Sequence, residues 1–98
     1  MGQVNILVVD DEEIMRRLFT DLLSDQGYNV SVAKDGREAT ELIKGNFFRV
    51  AFIDVHMPVM NGVETLKAVK KMSPQTSIVM MDSFPDLFVE EALGEGAI

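Results

Sequence analysis

Ile6-Leu7-Val8-Val9-Asp10-Asp11-Glu12-Glu13 decides how the chain is read. With Val4 ahead of it, the first half is a short, β-branched, almost unbroken apolar run. Such a run suits a strand covered on both faces, as in a parallel sheet. It stops at two adjacent aspartates, and the period then changes. Ile14, Leu18 and Leu22 recur every four residues, as do Met15, Phe19 and Leu23. Together these six predict one wide apolar stripe on a helix. Asp11 is placed to cap its start, Glu12 and Glu13 suit the positive end of the dipole, and Gly27 stops it.

The same alternation continues. Tyr28, Val30 and Val32 alternate with Asn29 and Ser31, which predicts a strand with one wetter face at the edge of a sheet. Asp35-Gly36 marks a turn, and Ala39, Leu42 and Ile43 give a short helix ending at Gly45. Phe47-Phe48 is expected to pack under a third strand, Val50 to Ile53, which ends at Asp54. Pro58, Asn61 and Gly62 make the next loop. Val63, Leu66 and Val69 share a helix face, and Ser73-Pro74 ends that helix. Ile78 to Met81 reads as a fourth strand. Pro85 opens a last helix carrying Leu87, Phe88, Ala92 and Leu93, broken by Gly94 and Gly96. Strands alternating with helices imply an α/β fold, a doubly wound parallel sheet between helix layers.

The 98 residues fit a single domain, 1–98. Apolar residues make up 47% and charged residues 26%, which excludes general disorder. The absence of cysteine excludes a disulfide scaffold, a thiolate zinc site and a cysteine nucleophile. Acidic residues outnumber basic ones 16 to 9, a net charge of -7. Such a surface repels a phosphate backbone, so no direct nucleic-acid binding is expected, and it suits divalent cations. The apolar runs are about four residues long where a spanning helix needs about 20, so no membrane association is expected and the location is read as cytoplasmic.

In open parallel sheets, function gathers beyond the carboxyl ends of the strands. Two central-looking strands end in acids, at Asp10-Asp11 and at Asp54. One aspartate at a strand end commonly does no more than cap the next helix. Three on two neighbouring strands are different, because two carboxylates 4 Å apart repel by roughly 4 kcal/mol at an effective dielectric of 20. Mg²⁺, a hard cation preferring oxygen ligands, removes that cost. The turn after the first strand lacks the glycines that nucleotide-binding sheets need, so a dinucleotide or P-loop enzyme is disfavoured. His56 is the only histidine, so no Ser-His-Asp set exists.

Ile6 to Glu12, then Asp54-Val55-His56-Met57-Pro58-Val59-Met60-Asn61-Gly62, then Gly94-Glu95-Gly96-Ala97 resemble the receiver domain of two-component response regulators. The likeness covers essentially the whole chain. It implies a flavodoxin-like sheet of strand order 2-1-3-4-5 that accepts a phosphoryl group from a sensor histidine kinase or phosphotransfer protein. Asp54 matches the phospho-acceptor. Asp10 and Asp11 match the acidic pair that binds Mg²⁺ together with Asp54, and the backbone carbonyl of His56 matches the remaining protein ligand. Such a module takes phosphate on itself and is not a turnover enzyme on a separate substrate.

Two departures follow from the same alignment. The family's Thr or Ser at the end of the fourth strand is replaced by Asp82, followed by Ser83, at the switch position. Gly94 to Ile98 reads as the approach to the fifth strand, so the family's fifth strand, its lysine and the last helix are expected to be missing from these 98 residues, either because they are a fragment or because the sheet is completed some other way. The fourth strand is then expected to be an open apolar edge, which predicts a homodimer formed through that edge. These departures also support an alternative, a phosphorylation-independent pseudo-receiver that only binds partners. A third reading, a cobalamin-binding domain, starts from Asp54-Val55-His56 but has Val59 where its motif needs glycine.

Overall fold

A computed structural model describes residues 3–57 and 60–81. The expected alternation is present: β1 (Asn5–Val9), α1 (Glu13–Asp25), β2 (Asn29–Ala33), α2 (Gly36–Gly45), β3 (Val50–Asp54), α3 (Gly62–Met72) and β4 (Ser77–Met81). The strands form one parallel sheet in the order β2-β1-β3-β4. The chain steps from β1 to β2 on one side and then crosses back over β1 to β3 on the other, so the switch point falls between β1 and β3. The helix expected from Pro85, and any fifth strand, lie outside the described residues.

The alternation of side chains along each strand sorts the core. Leu7, Val9, Ala51, Ile53 and Ile78 pack with Ala39 and Ile43 of α2 and Val63, Leu66 and Val69 of α3. The opposite parity carries Ile6 and Val8, also buried, and Phe52, whose ring lies 5.4 Å from that of Phe19 on α1. Phe48 is buried as expected, whereas its neighbour Phe47 is exposed.

Helix α1 departs from expectation in two ways. It holds no fully buried residue. Met15, Phe19 and Leu23 are half-buried, but Ile14 is 79% exposed and Leu18 and Leu22 are exposed too. The two apolar rows are one residue apart, about 100° around the axis, and the described strands meet only the row led by Phe19. Asp11 does not cap the helix. The N-cap position is Glu12, which makes no side-chain cap bond.

The other helices begin conventionally. Asp35 is the cap of α2 rather than a mere turn residue, accepting from the Glu38 N–H at 2.9 Å. Asn61 and Glu64 form a reciprocal capping box on α3, at 3.0 and 3.2 Å. Just before it, Met60 has φ 54°, a left-handed conformation uncommon for a side-chain-bearing residue. Its carbonyl and that of Asn61 both accept from the buried Thr65 hydroxyl at 3.0 Å, which holds the loop in that shape.

Helix α3 then starts hard against the end of β3. The Gly62 N–H donates to the Val55 carbonyl at 2.9 Å, and a Cβ on Gly62 would collide with the Asp54 carbonyl and the Val55 Cα. Backbone cannot yield as a side chain can, so glycine is required here for close approach. Gly62→Ala is expected to destabilise the chain by about 1–3 kcal/mol, the usual cost of overpacking, measured as a lower midpoint in urea denaturation.

Candidate functional site

The register builds the site. Val9 is the partner of Ile53, so the next residues out, Asp10 and Asp54, leave their strands side by side. Val8, Asp10, Phe52 and Asp54 share a parity and so a face. On the other flank, Asp54 is the partner of Met81 on β4, and the Val55 N–H donates to the Met81 carbonyl at 3.0 Å.

Asp10 is held on every polar group. Its N–H donates to the Ala33 carbonyl at 3.1 Å. Its carboxylate accepts from the Glu12 N–H at 2.9 Å. Its own carbonyl accepts from Arg16 Nη1 at 2.8 Å. The residue is only 4% exposed, and burial raises the pKa of its carboxyl. The Glu12 N–H works against that rise, the charges of Asp11 and Glu12 add to it, and the charge of Arg16 opposes it.

Asp54 is half-buried, and one of its oxygens accepts from the His56 N–H at 3.2 Å. Burial again dominates. With the charge of Asp10 and both a hydrogen bond and the charge from Asp11, it pushes the Asp54 pKa up to about 6, against the opposing His56 N–H. Asp11 therefore turns toward Asp54 rather than capping α1. Carboxylate oxygens of Asp10, Asp11 and Glu12 also lie within 4.8 Å of one another.

An all-carboxylate donor set in which Asp10 and Asp54 hold their protons more tightly than usual is short of positive charge, and a hard divalent cation supplies it. The residues therefore fit the magnesium that the resemblance implies. Of the expected residues, Asp10 acts on Asp54 through its charge and Asp11 through a hydrogen bond and its charge, whereas the set of oxygens within 4.8 Å of one another is Asp10, Asp11 and Glu12 and does not include Asp54. His56 is exposed on the following loop, with its N–H on Asp54. Glu12 was not foreseen as a member of the cluster; its adjacency to Asp11 was the available signal. Asp82 and Ser83 lie outside the described residues. Among the described residues, no helix is long and apolar enough to cross a membrane.

A parallel sheet in the order 2-1-3-4 with paired acids at its switch point defines a flavodoxin-like domain of the CheY type. The response regulator receiver domain model matches residues 6–98. The chain belongs to that family, whose members are signalling modules and typically bind Mg²⁺ at such an acidic cluster. It is 41% identical over 76 residues to the autoinducer 1 sensor kinase/phosphatase LuxN of Vibrio harveyi, a match covering 78% of this chain and 9% of LuxN. It is 35% identical over 96 residues to the transcriptional regulatory protein ZraR of Escherichia coli, covering 97% of this chain and 22% of ZraR. The chain thus spans less than a quarter of these relatives. The Vibrio cholerae chemotaxis protein CheY4 superposes with a TM-score of 0.91 at 36% identity, over 98% of this chain and 82% of that one.

The raised Asp54 pKa fixes the sign of a pH effect. The folded state holds this proton more tightly than the unfolded chain, whose carboxyl titrates near 3.8. Below that pH no penalty exists; ionising Asp54 costs stability progressively as pH rises through about 6. Metal-free Asp54→Asn is therefore expected to melt higher than the parent at pH 7.5 and equally at pH 3.5, read by differential scanning calorimetry.

Proposed function

We propose that this chain is a phospho-accepting signalling module in which Asp54 takes a phosphoryl group from a sensor histidine kinase or phosphotransfer protein and partner binding changes as a result. The supporting observation is the juxtaposition of Asp10, Asp11 and Asp54 at the switch point, produced by the β1–β3 register and the Asp11–Asp54 hydrogen bond.

In this reading an Asp54 carboxylate oxygen attacks phosphorus. The bond from phosphorus to the donor nitrogen breaks and an acyl phosphate forms on Asp54. The His56 N–H fixes the carboxylate so that little freedom is lost at attack. The close approach of Gly62 to the end of β3 sets the loop carrying His56. Asp10, Asp11, Asp54 and the His56 backbone carbonyl would hold Mg²⁺, which when bound neutralises charge on the phosphoryl oxygens. The chain is then a stoichiometric acceptor rather than a turnover enzyme. The sensor kinase LuxN and the transcriptional regulator ZraR both contain a similar stretch, which supports a transferable module read by different partners.

Incubation with acetyl phosphate and Mg²⁺ should add one phosphoryl group to the intact chain by mass spectrometry, and none to Asp54→Asn. An adduct that survives Asp54→Asn contradicts the assignment. No adduct on the parent chain favours the phosphorylation-independent module, for which Asp82 at the switch position is the sequence argument.

The metal reading has its own test. Mg²⁺ at 100 times its dissociation constant should stabilise the fold by about 2.7 kcal/mol if it does not bind the unfolded chain. Asp11→Asn should abolish most of that gain in calorimetric melts.

A further inference from the structure

Arg16 is the fourth residue of α1. Helical side chains lean back toward the N-terminus, so its guanidinium lies over the β1–α1 turn. There its charge reaches the Asp10 carboxyl, in a chain of net charge -7. Yet the ion pairs among the described residues join Lys34 to Glu38 and Lys44 to Glu41, and neither involves Arg16. Arg16 Nη1 instead donates to the backbone carbonyl of Asp10, at 2.8 Å.

That carbonyl needs a donor. The Arg16 N–H to Glu12 carbonyl bond, at 3.1 Å, opens the helical ladder two residues further on. Asp10 is buried, and Glu12 contributes no side-chain cap. The turn is therefore tied at its inner end by the Asp10 N–H and carboxylate and at its outer end by a guanidinium.

We propose that Arg16 is a positioning residue for the metal site: by holding the Asp10 carbonyl it fixes the peptide plane between Asp10 and Asp11, and so the directions of both carboxylates. This rests on the reading of these acids as a Mg²⁺ site. A counter-ion and a positioning residue differ in sign. Removing a mere counter-ion leaves the acids more negative and strengthens Mg²⁺ binding. Removing a positioning residue loosens the ligands and weakens it; groups that orient metal ligands typically control affinity by about 10–100-fold.

The experiment is Mg²⁺ titration calorimetry on the 98-residue chain, on Arg16→Met and Arg16→Gln, and on Arg17→Met as a neighbouring charge control, with amide NMR spectra confirming folding. Arg16→Met and Arg16→Gln should bind Mg²⁺ about tenfold more weakly and broaden the Asp10–Glu12 amide signals, while Arg17→Met stays within about twofold of the parent. A purely structural role lowers the melting temperature but leaves the affinity of the folded chain unchanged. Unchanged or tighter binding by folded Arg16→Met, or by Arg16→Gln if the methionine variant does not fold, overturns the proposal alone. A parent chain that binds no Mg²⁺ overturns the metal reading and this proposal together.

Discussion

The pairing of β1 with β3 is the constraint on which everything else depends. Val9 beside Ile53 forces Asp10 beside Asp54. Two carboxylates 4 Å apart repel by roughly 4 kcal/mol at an effective dielectric of 20, which sets the scale of the cost. The pairing persists because Leu7, Val9, Ala51 and Ile53 bury one face against α2 and α3, and each fully buried aliphatic side chain contributes about 1.5–3 kcal/mol. A slip of one residue would move those side chains to the opposite, α1 face and away from α2 and α3, undoing that packing. The apolar core therefore holds the acids in an arrangement that they would not adopt alone.

That arrangement sets the chemistry. Burial and neighbouring carboxylates raise the pKa of Asp10 and Asp54, so in the proposed function a metal ion has to displace protons from the same oxygens. Phosphoryl donors are anions and the site is acidic; a divalent cation reconciles the two. Around it the chain supplies rigidity. The Gly62 contact, the Asn61–Glu64 box and the Thr65 hydroxyl hold the loop after Asp54, and Arg16 holds the turn after Asp10.

Much of this was legible in the sequence because it depends on short-range patterns. Unbroken apolar runs ending in acids gave both the strands and Asp10, Asp11 and Asp54. The wetter alternation of Tyr28 to Val32 marked the edge strand, and β2 is at the edge. What was illegible depends on where elements meet. The α1 rows led by Ile14 and Phe19 look equally apolar, and only packing against Phe52 separates them. Asp11 looks like a cap until the neighbouring strand brings Asp54 within hydrogen-bonding reach. The Arg16 tie joins a side chain to a backbone carbonyl, so no residue type at Asp10 announces it. Met60 adopts a left-handed conformation without glycine because Thr65, five residues on, holds its carbonyl.

The central claim is that three acids from two strands form one metal-binding lip. Substoichiometric Mn²⁺ added to the ¹⁵N-labelled chain tests it most directly, because the paramagnetic ion broadens only nearby amide signals. The account predicts selective loss of the signals of Asp10 to Glu12 and of Asp54 to His56, reversed by excess Mg²⁺. Broadening spread along exposed acids such as Asp21, Asp25 and Glu41, with the Asp54 region unaffected, would contradict it.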